Sequence, residues 1–393
     1  PRQKIDPCHQ SKLLMARPVA IISAGALTLA SPIGDAFGAV LPASGDQRSR
    51  VYRRGLVMLL CGSAVAGLIG GIVAITCVDG ARGSYAVFLL VAFGTIVVSL
   101  FQLQVGSLAA IGRASWVIGL NTSANLLRIA LLIGLSIVLP WHFLEMSSVL
   151  SSAAVCLVVV PIVTRIVRSP EGFVEVGSLS NTDALREFTR FTKPAFVAVF
   201  MGSAVFWLTP FLVLVASDSV QAALYALSIP LAQFLDLMTA AMATSLVVHA
   251  SAEPGKATQM ARSMLLRCGA LAVAGAAAIT FVAPLVLSQL NPEYASMNTI
   301  GVVGMLCVAS VLRVPFATWA ALQRSRRNLG PVLAVTCVGA TVAVTGVVLL
   351  SHLYGALGGA GGVAVAYCVM SVGAGLHTVR SRRSIRSVRG GAE

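Results

Sequence analysis

Charge is scarce in this sequence. Only 11% of its 393 residues are Asp, Glu, Lys or Arg, against roughly 25% in a soluble domain whose surface faces water. So little charge over so long a chain excludes a soluble globular fold and leaves lipid as the surroundings of most side chains. Paired cysteines are also absent. Eight cysteines are scattered with no C-x-x-C spacing, and seven of them lie in or at the ends of apolar runs, where cysteine serves as a small apolar residue. The five histidines are equally dispersed. Neither a disulfide framework nor a metal centre is expected, and no cofactor is called for. Motifs of enzyme chemistry are missing as well: there is no Walker loop, no H-E-x-x-H and no G-x-S-x-G. Ten-residue strands of alternating polarity do not occur, which excludes a β-barrel.

Long apolar runs fill the space those absences leave. A spanning helix needs about 20 apolar residues to cross about 30 Å of hydrocarbon. Runs of that quality lie near 18–41, 55–78, 85–111, 115–139, 149–168, 194–216, 220–248, 264–289, 295–322, 330–353 and 356–379. The reading is an all-α polytopic membrane protein with about 11 visible spans. The net charge of +14 would point to nucleic acid in a soluble chain. Here the basic residues sit in short clusters between apolar runs, which encodes orientation instead. With a cytoplasmic C-terminus the inner segments hold Arg48, Arg50, Arg53, Arg54, Arg113, Arg165, Arg168, Arg186, Arg190 and Lys193. They also hold Lys256, Arg262, Arg267, Arg324, Arg326, Arg327 and the five arginines of 380–389, whereas the outer loops hold only Arg82.

Residues 1–17 carry Arg2, Lys4, Lys12 and Arg17, which sits badly on the outer side. A twelfth span upstream, with both termini inside, repairs the pattern. The expected organisation is a polar segment 1–17, an N-terminal bundle 18–168, a cytoplasmic amphipathic linker 169–193, a C-terminal six-helix bundle 194–379 and a basic tail 380–393. Within the linker Leu185, Phe188 and Phe191 recur at helical spacing opposite Arg186, Glu187, Arg190 and Lys193, the pattern of a short helix lying on a membrane surface. The two bundles echo one another: SLAAIGRAS (107–115) and TWAALQRSR (318–326) align at an offset of 211 residues, as in a two-repeat transporter.

An ion inside the membrane is costly and marks a functional candidate. Arg128 lies midway along its span, with Asn121 and Asn125 seven and three residues earlier on the same helical face. That face either lines a water-filled cavity or bonds to neighbouring helices. Arg313, which the 211-residue offset pairs with Gln102, is assigned to the same substrate cavity. Asp236 follows Gln233 by three residues on a helix carrying Pro230, and reads as a coupling or gating carboxylate or as a partnered structural one. Asp35 joins Asp236 and Gln233 as a coupling or gating candidate, though it lies about two turns from an inner end, where snorkelling to water also accounts for it. The glycines of GALGGAGG (355–362) permit close helix packing.

The chain from 18 onward resembles the flippases of the multidrug, oligosaccharidyl-lipid and polysaccharide superfamily, particularly exporters of lipid-linked polysaccharide units. ALTLASPIGDAFGAVLPASGDQRSRVYRRGL is similar to the family's second helix and basic inner turn, and ALYALSIPLAQFLDLMTAAMATSLV to its eighth helix. NPEYASMNTIGVVGMLCVASVLRVPFATWAALQRSRRN and HLYGALGGAGGVAVAYCVMS resemble its tenth helix and glycine-led twelfth helix. The resemblance implies two six-helix bundles related by pseudo-symmetry and no enzymatic activity. It further implies a cytoplasmic-membrane flippase for an anionic polyprenyl-phosphate-linked glycan, working by alternating access. Envelope-polysaccharide biosynthesis proteins would be its partners, and a proton or sodium gradient its energy source. A drug or cation antiporter of the same superfamily is the first rival, followed by a major-facilitator transporter and a non-transporting scaffold.

The distribution of basic residues makes a direct prediction. In a background stripped of native cysteines, cysteines placed at Ser381 and Ser178 resist an impermeant thiol reagent in intact cells and react after permeabilisation. Labelling of either from outside reverses the topology.

Overall fold

The fold follows from one rule: a backbone in lipid must satisfy its own hydrogen bonds, so each apolar run becomes a helix. The computed structural model describes residues 22, 25–26, 28–77, 84–138, 143–169, 183–290 and 298–390. It is helical throughout, with no strand among the described residues. The helices are α1 (28–40), α2 (Arg48–Cys77), α3 (Tyr85–Ala110), α4 (Ala114–Val138), α5 (Phe143–Arg168) and α6 (Asp183–Ala216). They continue as α7 (Ser219–Ala252), α8 (Ala257–Leu290), α9 (Thr299–Ser325) and α10 (Gly330–Gly390). Nine helices among the described residues are long and apolar enough to cross a membrane. Large apolar side chains such as Leu157 and Phe281, both 79% exposed, cover their outer faces, a surface that only lipid tolerates.

The nine-helix count takes α10 as one element, where the sequence reads two spans. Gly355 resolves the difference. Its φ of 60° and ψ of −137° are strained for any residue with a side chain, and they fold the chain back on itself. The two arms run antiparallel: Gly346 lies against Gly362, Gly339 against Met370 and Val335 against Gly373. The turn frees a backbone donor, and the side chain of Gln221 at the start of α7 accepts from Ala356 N at 3.1 Å. A Cβ on Gly358 would strike the backbone of Leu350, and one on Gly362 the backbone of Gly346 and Val347. The glycine cluster therefore packs two helices closer than any side chain would allow.

The chain divides into two compact units, Pro1–Phe196 and Val197–Glu393. In the first, α2 packs on α3, and α5 on both α3 and α4. Phe37 of α1 stacks on Phe188 at 5.6 Å and meets Tyr52 at 5.7 Å. This corrects the surface-helix expectation for the linker. Residues 183–193 are the opening turns of α6, and Ala184, Phe188 and Phe191 are buried within the unit. A helix presents the same apolar stripe to lipid or to protein, and here protein covers it. Residues 1–17 and 170–182 lie outside the described set. In the second unit α9 packs against α7, α8 and α10, around a core that includes Tyr225, Leu235, Val303 and Cys307.

The two polar turns that precede α4 and α10 are built alike. After α3, Gly112 N donates to Ala109 O and Arg113 N to Leu108 O; after α9, Arg327 N donates to Arg324 O and Asn328 N to Gln323 O. The positive φ falls at Gly112 (78°) in one and Arg327 (56°) in the other, the left-handed closure of a Schellman-type turn. These turns match at an offset of 215 residues (Asn328 against Arg113), one helical turn beyond the 211 read from the sequence. The structural counterpart of Arg313 in the first unit is therefore Val98 rather than Gln102.

Close approach of the arms of α10 predicts an asymmetric response to small substitutions. Gly362→Val forces backbone apart and lowers stability by about 1–3 kcal/mol or more. Gly361→Ala, whose new methyl would find only Leu350 Cδ1 at 3.8 Å, is tolerated. Thermal unfolding of the detergent-solubilised protein measures both.

Candidate functional site

Five of the residues singled out in the sequence lie in the first unit without forming one site. Arg128 and Asn121 are half-buried on α4 and Asn125 is exposed, while Leu126, Ile129 and Ile133 on the other side are open to lipid at 56–63% exposure. Gln102 is half-buried on α3, and so is Asp35 on α1. A polar residue of this unit that the sequence did not single out, Gln104, is fully buried and accepts from the Tyr52 hydroxyl at 3.1 Å. Its amide nitrogen has no partner among the described residues.

In the second unit three of the candidates come together. Arg313 of α9 bonds Asp236 of α7 through Nη1 and Oδ2 at 3.0 Å. The sequence assigned these two to different tasks. Tyr367, from the second arm of α10, lies under the arginine with its ring centroid 5.7 Å from Cζ, a cation–π contact that keeps the guanidinium in place. Ser310, one turn before Arg313, reaches Ala232 O on α7 at 3.5 Å. The ion pair thus sits where three helices meet. Its side chains keep 13% (Asp236) and 32% (Arg313) of their surface.

Proline shapes the same region. Pro230 lies inside α7 and Pro315 inside α9. Each removes a donor from its helix and leaves the carbonyl one turn earlier without its usual partner. Both lie within two turns of the ion pair, so the helices that carry it are softened next to it.

The pair borders a cavity of about 80 Å³. Its walls are largely small and aliphatic residues from α6, α7, α9 and α10, interrupted by Tyr225, Gln233, Asp236, Ser310, Thr336 and Tyr367. Thr209 of α6 hydrogen-bonds the Tyr225 hydroxyl. Asp236 is the charged group among the described wall residues, and Arg313 is not part of the wall. Asp236 Oδ1 is buried with no hydrogen-bond partner among the described residues. The cavity wall therefore combines the Asp236 side chain, several hydroxyls and two phenol rings, with Arg313 bound to Asp236 Oδ2. The sequence missed Tyr225, Tyr367, Thr209 and Thr336 because a polar ring or hydroxyl inside an apolar run carries no charge signal. No group of three or more metal-ligating side chains occurs among the described residues.

No protein-family model matches the sequence, and no curated protein matches it. Solved structures share its fold. The outward-facing form of a multidrug resistance MATE family transporter of the MOP superfamily is 15% identical, with a TM-score of 0.74 over 98% of this chain and 90% of that one. A MATE in complex with MaL6 matches at 13% identity and a TM-score of 0.75, over 96% of this chain and 89% of the other. The Vibrio cholerae MATE transporter VcmN, in a mutant form, matches at 15% identity and a TM-score of 0.71, over 95% and 89% of the two chains. At these identities the likeness is one of fold: an all-helical, multi-pass membrane architecture of MATE type.

The ion pair makes a stability prediction of its own. Asp236→Ala leaves Arg313 charged and unpaired, a change that costs about 3–5 kcal/mol for a fully buried pair. About 2–3 kcal/mol is expected here because Arg313 keeps a third of its surface. The double variant Asp236→Leu/Arg313→Met recovers most of that loss. Thermal unfolding of the three proteins, read as a double-mutant cycle, checks both statements.

Proposed function

We propose that this chain is a membrane transporter that exports amphipathic organic cations by alternating access, a drug or cation antiporter rather than an enzyme. The observation that carries the reading is the polarity of the cavity: its wall displays the Asp236 carboxylate and keeps Arg313 behind it. An apolar body with one positive charge would find aliphatic walls, the rings of Tyr225 and Tyr367, and an acidic oxygen that makes no other bond. The multidrug transporter among the structural neighbours supports the same direction. A proton or sodium gradient is the energy source this reading requires, acting through Asp236.

A second reading follows from Arg128. It makes no hydrogen bond or ion pair among the described residues and shares its helix face with Asn121 and Asn125. A planar guanidinium left unpaired inside a span suits a phosphate, which it can hold through two oxygens. That stripe favours flipping of an anionic lipid-linked glycan, with the cavity at Asp236 serving gating alone.

Transport in reconstituted vesicles separates the two. Under the cation reading, a cationic dye moves against its gradient when a proton or sodium gradient is imposed. Asp236→Asn then reduces export at least tenfold, while Arg128→Leu leaves it within twofold. Movement of a lipid-linked oligosaccharide that Arg128→Leu abolishes, with no dye transport, reverses the assignment.

A further inference from the structure

We infer that Arg313 is a resident counter-ion that keeps the empty cavity neutral and restricts it to substrates bearing a single positive charge. The inference rests on the cation reading above. Two observations combine. Asp236 divides its two oxygens, with Oδ2 bound to Arg313 at 3.0 Å and Oδ1 buried beside the cavity with no partner among the described residues. No second charged side chain belongs to the described cavity wall. The facing groups from the packed helices are uncharged: Thr209 of α6, Gln233 of α7, Ser310 of α9, and Thr336 and Tyr367 of α10.

The electrostatics follow from that count. The empty site holds one negative and one positive charge. A monocation at Oδ1 shares the carboxylate with Arg313, and the site then carries a net charge of one. A dication raises it to two in surroundings of low dielectric, where repulsion from the guanidinium has no second carboxylate to offset it. The same repulsion weakens the hold on a monocation, so that a bound substrate is able to leave. Tyr367 helps to hold the guanidinium beside the carboxylate, with its ring centroid 5.7 Å from Arg313 Cζ.

Arg313 therefore sets the charge preference of the cavity without lining it. Substituting it should tighten cation binding, the opposite of what loss of a structural arginine would do.

Two ions of equal shape and opposite charge test this: tetraphenylphosphonium and tetraphenylborate. Equilibrium binding is measured on the full chain in nanodiscs, with empty nanodiscs as the blank, at about pH 9 where a carboxylate is normally ionised. The wild type prefers the phosphonium. Arg313→Gln binds it tighter, on the order of tenfold to a hundredfold, and also gains the dication decamethonium. Arg313→Lys behaves as wild type. Asp236→Asn leaves the arginine uncompensated and reverses the preference towards the borate. Thermal unfolding confirms that each variant is folded, and if Arg313→Gln is not, the reversal in Asp236→Asn carries the test. A folded Arg313→Gln whose phosphonium affinity stays within twofold of wild type, or falls, overturns the counter-ion role. So does an Asp236→Asn protein that gains nothing for the borate. A wild type that binds no phosphonium overturns the cation reading itself, which is a different result.

Discussion

Hydrocarbon supplies no hydrogen bonds, and every feature of this protein answers to that constraint. The helices satisfy their own backbones, and the small hydroxyl side chains inside them bond back to the preceding turn, as Thr95 does to Val91 O, Ser99 to Thr95 O and Thr239 to Leu235 O. Such back-bonding hides a polar group at little cost. Where the helix must break, another group takes over the freed donor: Gln221 does this for Ala356 at the fold of α10. The Asp236–Arg313 pair obeys the same rule with whole charges. Neither ion is tolerable alone in lipid, and together they form a neutral group.

The cavity depends on that pair for its character. A carboxylate alone would make the site a strong cation trap, and an arginine alone would attract anions. With the arginine on Oδ2, the wall shows a carboxylate whose negative charge is partly offset, among hydroxyls and rings. Prolines in α7 and α9 lie close to both charges, so the helices that hold the pair are also those whose backbone ladders are interrupted beside it.

Much of the fold was legible in the sequence, because hydrophobic length and scarcity of charge leave few alternatives. The runs at 330–353 and 356–379 are the two arms of α10, and GALGGAGG marks their point of closest approach. Registers were harder to read. The echo between the halves was placed at 211 residues while the turns match at 215, because a stripe of small residues maps onto itself after one helical turn. The candidate site was half legible. The cost of burying Asp236 and Arg313 is visible in any apolar run, but their pairing across 77 positions is not, since a sequence shows the expense of a charge and not its partner. Tyr367 and Tyr225 left no trace for a related reason: a phenol in a membrane helix resembles any other aromatic residue.

The bond from Gln221 to Ala356 joins the first turn of α7 to the fold of α10. It therefore ties together the ends of the two helices that carry Asp236 and Tyr367. Fifteen residues of α7 separate Gln221 from Asp236, about 22 Å of helix. A tilt of α7 by about 5° about that contact displaces the carboxylate by about 2 Å, more than the bond to Arg313 can stretch. The protein thus has the means to turn a small angular change at one end of α7 into the making or breaking of a charge contact at the other.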